Sequence, residues 1–135
     1  MPFWLPWPYP VNRVFWLNGS SVTSVNVDVG IYTADGTQIY HTGSVARSGT
    51  TASQYVTPSP TFVLTPGRYY FGYSCDSVTA NRGGYANASV TATRLRLYGM
   101  LQQASVLPLP ATMTGVAVTS AFFPLCGITR TTTGF

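Results

Sequence analysis

A chain of 135 residues that carries seven Arg, three Asp and neither Lys nor Glu lacks the residues that usually solvate exposed helix faces, which argues against a helical protein. Its formal net charge of +4 is scattered over Arg13, Arg47, Arg68, Arg82, Arg94, Arg96 and Arg130, without the clustered patch that phosphate binding requires, so no nucleic acid is expected as a partner. The length suits one domain with a real core, and the abundance of Thr, Val and Tyr points to an all-β chain.

The first ten residues, MPFWLPWPYP, hold four prolines and the rings of Phe3, Trp4, Trp7 and Tyr9. No basic leader, apolar run or cleavage site marks a signal peptide, and the prolines rule out a membrane-spanning helix. Membrane insertion is therefore not expected. Proline also cannot serve a central strand, since it brings no ladder donor. Residues 1–12 thus read as an extended aromatic-proline N-terminal arm or edge strand, and residues 13–135 as a single β-sandwich domain. The arm either folds back over its own domain or packs in part on a neighbouring subunit, with Phe3, Trp4, Trp7 and Tyr9 as the candidate subunit interface.

VNRVFWLNGSSV then reads as a strand broken at Asn18-Gly19. In SVNVDVGIYTADGTQIYHTGS, Val25, Val27, Val29 and Ile31 alternate with Asn26, Asp28, Gly30 and Tyr32, a period of two that buries one face and leaves a polar one. Asp35-Gly36 supplies a tight hairpin turn, and TQIYHT returns antiparallel. The two prolines in QYVTPSPTFVL make it an edge strand or a kinked connection. Pro66-Gly67 suits a type II turn. After it, Tyr69, Phe71, Tyr73 and Cys75 alternate with Tyr70, Gly72 and Ser74, so one aromatic face belongs to the core. DSVTANRGGYANAS reads as the longest exposed loop, with Asn81, Arg82, Tyr85 and Asn87 as a candidate ligand loop for carbohydrate. VTATRLRLYGM reads as a strand with Leu95 and Leu97 inward. A proline-broken passage, a late strand in VAVTSAFFPLCGI and a polar tail complete the chain. About eight short strands separated by Gly and Pro signals give an antiparallel β-sandwich or jelly-roll-like fold.

The residues that catalysis needs are sparse. There is one His, three Asp and no Glu. His41 reads as a partly exposed structural residue, Asp28 sits on the polar face, Asp35 belongs to its turn and Asp76 follows the aromatic strand. No carboxylate pair, phosphate loop, nucleophile elbow or metal spacing is present, so no catalytic residue, metal or cofactor is expected. Cys75 and Cys126 lack zinc spacing and read as buried thiols or one disulfide. The sequons at 18–20 and 87–89 are common by chance in a chain rich in Ser and Thr.

Taken in order, the Asn18-Gly19 turn, the Asp28-Val29-Gly30-Ile31-Tyr32 strand, the Asp35-Gly36 turn, the Thr42-Gly43-Ser44 exit, Pro66-Gly67 before Tyr69-Tyr70, and the passages LPLPATMT and FFPLCGI resemble a β-sandwich domain of minor structural proteins of tailed bacteriophages. The resemblance covers nearly the whole chain. It implies a non-enzymatic virion protein assembled in host cytoplasm, where both Cys stay reduced. It also implies a homo-oligomer whose partners are other copies of itself and the major capsid protein or tail proteins. The single domain, with no shaft-forming repeat, favours head decoration or cement. The alternative is a tail-tip or fibre-associated receptor-binding module that stacks host surface glycan.

Overall fold

The computed structural model describes residues 1–20, 25–76, 84–85, 101–102, 107–114, 116–117 and 123–131. Every regular element among them is a strand. In chain order these are β1 (Pro2–Leu5), β2 (Tyr9–Val11), β3 (Arg13–Leu17), β4 (Asn26–Thr33), β5 (Gln38–His41), β6 (Val45–Ala46), β7 (Ser53–Val56), β8 (Phe62–Leu64), β9 (Gly67–Cys75), β10 (Gly84–Tyr85), β11 (Leu101–Gln102), β12 (Val116–Ala117), β13 (Phe123–Pro124) and β14 (Cys126–Thr129). Fourteen segments thus stand among the described residues where the sequence predicts about eight. Prolines account for part of the difference, because Pro6, Pro8, Pro58 and Pro60 interrupt runs that would otherwise continue.

All pairings are antiparallel. The largest sheet has the order β1-β9-β4-β5, with β6 also on β4, and β14-β3-β7 form a second sheet. The pairs β2-β8, β10-β13 and β11-β12 complete the arrangement. The centre is β4, whose Val27, Val29 and Ile31 are wholly buried as their alternation predicts. They join Leu5, Tyr69 and Phe71 of the same sheet, Val14 and Trp16 of β3, Val11 of β2 and Leu64 of β8 in one hydrophobic cluster. Each fully buried aliphatic side chain there contributes roughly 1.5–3 kcal/mol. The hairpin turns at Asp35-Gly36 as expected, with Gly36 alone of the two at positive φ. Gly36 has φ +88°, a conformation that a side chain would strain. Hydroxyl and backbone donors of Thr33 and Thr37 hold the Asp35 carboxyl below the usual carboxylate range, that of Thr33 most of all.

Two expectations need correction. Gly67 does not take the left-handed conformation of a type II turn; it opens β9 in register with Leu5. The chain does not reverse there. Phe62–Leu64 lies against Tyr9–Val11, and Gly67–Tyr70 against Pro2–Leu5, so residues 62–70 continue past one partner with a bend. The second correction concerns the face of β4 that carries Asp28, Gly30 and Tyr32. It is as buried as the valine face. Residues 107–113 cover it. Leu109 lies over two glycines of neighbouring strands: a Cβ added at Gly30 would stand 2.9 Å from Leu109 Cδ1, and one at Gly72 would stand 3.2 Å from it. Tyr32 Oη donates to the Pro110 carbonyl at 2.9 Å, Gln38 N to Ala111 O at 2.8 Å, and Met113 N to Gly36 O at 2.8 Å.

Candidate functional site

The N-terminal segment runs along its own domain as two edge strands. Residues Pro2, Phe3, Trp4 and Leu5 oppose Tyr70, Tyr69, Arg68 and Gly67. Neighbouring side chains on a strand point to opposite faces. Leu5 accordingly enters the core, and Phe3 stacks on Phe71 and Tyr69, with ring centroids 4.2 and 5.6 Å apart. Between β1 and β2 the chain bends through Pro6-Trp7-Pro8, all exposed. Val11 then returns to the core.

The four rings read from the sequence as one interface therefore divide. Phe3 is committed inward. Tyr9 packs against the core, with the Arg130 guanidinium 5.9 Å from its ring centre. Trp4 is 66% exposed and Trp7 59% exposed, the two most exposed large apolar side chains among the described residues. Trp4 lies directly across from Arg68, at the β1 border of the sheet face that residues 107–113 cover over Gly30 and Gly72. Arg68 is exposed, and its guanidinium stands 5.3 Å above the ring of Tyr70, the next residue along that face of β9. Exposed Trp4 and Arg68, with half-buried Tyr70, so form a ledge at the border of that covered face: two rings and a cation on paired backbone.

Elsewhere the polar side chains are used to hold the fold. Asp28 is fully buried and accepts hydrogen bonds from His41 Nδ1 at 2.9 Å, Thr42 Oγ1 at 3.2 Å and Leu109 N at 2.8 Å. Through its bond to Leu109 N the carboxylate fastens Leu109 over the sheet. Sequence reasoning read Asp28 and His41 separately. Their signal was the hairpin register, which pairs Gly30 with His41 and leaves Asp28 as the diagonal neighbour of the histidine. Asp76 accepts from both the backbone and the side-chain nitrogen of Asn26, each at 2.9 Å.

No disulfide joins Cys75 and Cys126. Burial pushes the Cys126 thiol up to about 12, partly offset by the Met1 ammonium. That ammonium donates to Phe71 O at 2.8 Å, and desolvation lowers it to about 6. No cluster of three His, Cys or Asp side chains placed to hold a metal ion occurs among the described residues.

The candidate ligand loop is only touched by the described residues. Gly84–Tyr85 forms a short strand opposite Phe123–Pro124, so the passage holds regular structure where a loop was expected. Asn81, Arg82 and Asn87 lie outside the described residues, as do Leu95 and Leu97. Compared with known proteins, the chain matches no family model, no curated protein and no solved structure.

Proposed function

We propose that this chain is a non-enzymatic structural protein of a phage virion, a β-sandwich or jelly-roll-like module that decorates or cements the head by packing against neighbouring subunits. The observation that carries the interaction role is the exposure of Trp4 and Trp7 on a segment whose flanking residues are anchored in the core. A ring on a free tail loses conformational entropy when it docks. Rings on a proline-stiffened strand have already lost much of it, so more of their burial is retained as binding. Full burial of one such side chain contributes roughly 1.5–3 kcal/mol, and repetition around a lattice multiplies the effect. The phage assignment itself rests on the sequence resemblance. The sandwich reading is supported by the sharing of one hydrophobic cluster among the inner faces of β1, β4 and β9 and those of β2, β3 and β8.

The test is quantitative mass spectrometry of purified phage particles, comparing this chain with the major shell protein, for the native protein and for the double variant Trp4→Ala, Trp7→Ala. A native ratio near that of the shell protein, lost in the variant, supports decoration through the exposed indoles. A few copies per particle moves the protein to the tail. Complete absence from particles overturns the virion reading.

A further inference from the structure

The ledge of Trp4, Arg68 and Tyr70 has an electrostatic property that bears on what can cover it. The chain holds only three side-chain carboxylates, and each is engaged away from the ledge. Asp28 is buried under Leu109 with His41, Asp35 accepts from its own turn, and Asp76 accepts from Asn26. Among the described residues Arg68 thus pairs with no carboxylate, and its described contact is the Tyr70 ring. A guanidinium stacked on an aromatic face still presents its in-plane N–H donors at the edge, where they match a carboxylate bidentately.

From this we propose that the ledge docks an acidic, carboxylate-bearing surface of a different protein, with Trp4 and Tyr70 covering the apolar part of the contact and Arg68 pairing with an Asp or Glu. The proposal rests on the interaction reading above and names the partner's chemistry. Three features on the page favour this occupant. The composition of one Arg among Trp and Tyr is that of energetically dominant interface residues between proteins. A nucleic acid would call for several cations along a backbone path, whereas among the described residues one stands on the ledge. A second copy of this chain is a poor match, since it also carries a net charge of +4, and its two exposed acids, Asp35 and Asp76, are already accepting local hydrogen bonds.

The experiment titrates the intact protein against a fluorescein-labelled peptide of repeated Glu-Glu-Leu-Gly units, followed by anisotropy, with a labelled oligothymidylate as the competing class. Arg68→Gln and Trp4→Ala are compared with Arg130→Gln, which removes the same charge from the ring of Tyr9 instead. Far-UV circular dichroism confirms that each variant is folded. The expected result is saturable binding of the acidic peptide, weakened about tenfold by Arg68→Gln and by Trp4→Ala and left within about twofold by Arg130→Gln. Equal losses in Arg68→Gln and Arg130→Gln would reduce the effect to net charge and overturn the site. Absence of saturable binding, or tighter binding of the oligonucleotide, would overturn the acidic-protein partner. Particle incorporation separates the two levels. If Arg68→Gln incorporates at the native copy number while the double indole variant is lost, docking stands and the acidic partner falls.

Discussion

Trp4 and Leu5 are neighbours on β1, and the structure assigns them opposite consequences. Leu5 is only 9% exposed and sits in the central cluster, so Leu5→Ala removes core packing and leaves a cavity. Buried Leu→Ala changes cost about 2–5 kcal/mol, and at an edge strand, where the site can partly collapse, about 3 kcal/mol is expected. Trp4 is the larger side chain, but it keeps 66% of its surface in water. About a third of its roughly 250 Å² is covered, which at about 25 cal/mol per Å² gives an upper bound of ~2 kcal/mol. The compactness of the unfolded chain and the part that Ala still buries bring this to about 1 kcal/mol. Urea denaturation followed by far-UV circular dichroism reads the difference. With a slope of about 1.5 kcal/mol per M, Leu5→Ala lowers the midpoint by about 2 M and Trp4→Ala by about 0.7 M. The reverse order, with Trp4→Ala the more damaging, would refute the register of β1 on β9, because a slip of one residue exchanges the two faces.

Gly72 is required by what lies over it: an added Cβ would stand 2.8 Å from Tyr32 Cε2 and 3.2 Å from Leu109 Cδ1. The Tyr32 ring is tethered through its hydroxyl to Pro110 and has little freedom to move. Gly72→Ala is therefore expected to destabilise by about 1–3 kcal/mol, seen as a lower Tm, and an unchanged Tm would show that residues 107–113 do not press on the sheet. A pH effect follows from the Met1 ammonium in a protein that begins at this residue. Its folded pKa of about 6 lies below the ordinary 8.0, so the unfolded chain takes up a proton that the folded one resists. The contribution to stability is fully present above pH 8 and is lost as pH falls from about 8 to about 6, amounting to about 2 kcal/mol after allowance for partial solvent contact. Unfolding free energies measured from pH 6 to pH 9 should show this slope in the native protein and not after N-terminal acetylation. The same slope in both would place its origin elsewhere.

Those features of the fold that depend on local alternation were legible in the sequence. Val25, Val27, Val29 and Ile31 are all buried, and Asp35-Gly36 turns the hairpin as its residue types demand. The aromatic face of β9 was equally plain, with Tyr69 and Phe71 in the core. What the pattern could not show was the layer on the other side. Asp28 looked like a solvated residue because its neighbours on that face are Asn26 and a glycine. Its partner Leu109 is 81 positions away, a contact that no local period encodes. Asn18 is likewise held by partners that no local pattern encodes. It sits in a sequon, yet it is buried, accepts from Trp16 Nε1 at 3.0 Å and donates to Gln54 Oε1 at 3.0 Å. Such an asparagine is occupied by the fold rather than offered to a modifying enzyme.

At the N-terminus the proline content drew attention away from a signal that was present. Pro-Phe-Trp-Leu alternates, so Phe3 and Leu5 share one face and Trp4 the other, and a period-two reading alone would have separated the inward rings from the outward one. The prolines explain the manner of recognition instead. Pro2, Pro6, Pro8 and Pro10 have no N–H, so this border of the domain offers few backbone donors to an added strand. Pairing with a partner by extension of the sheet is thereby discouraged, while the fixed φ of each proline stiffens the segment that carries the indoles. A surface built in this way is read through its side chains. At the β1 border of the sheet those side chains are exposed Trp4, half-buried Tyr70 and the Arg68 guanidinium, which meets no counter-charge among the described residues.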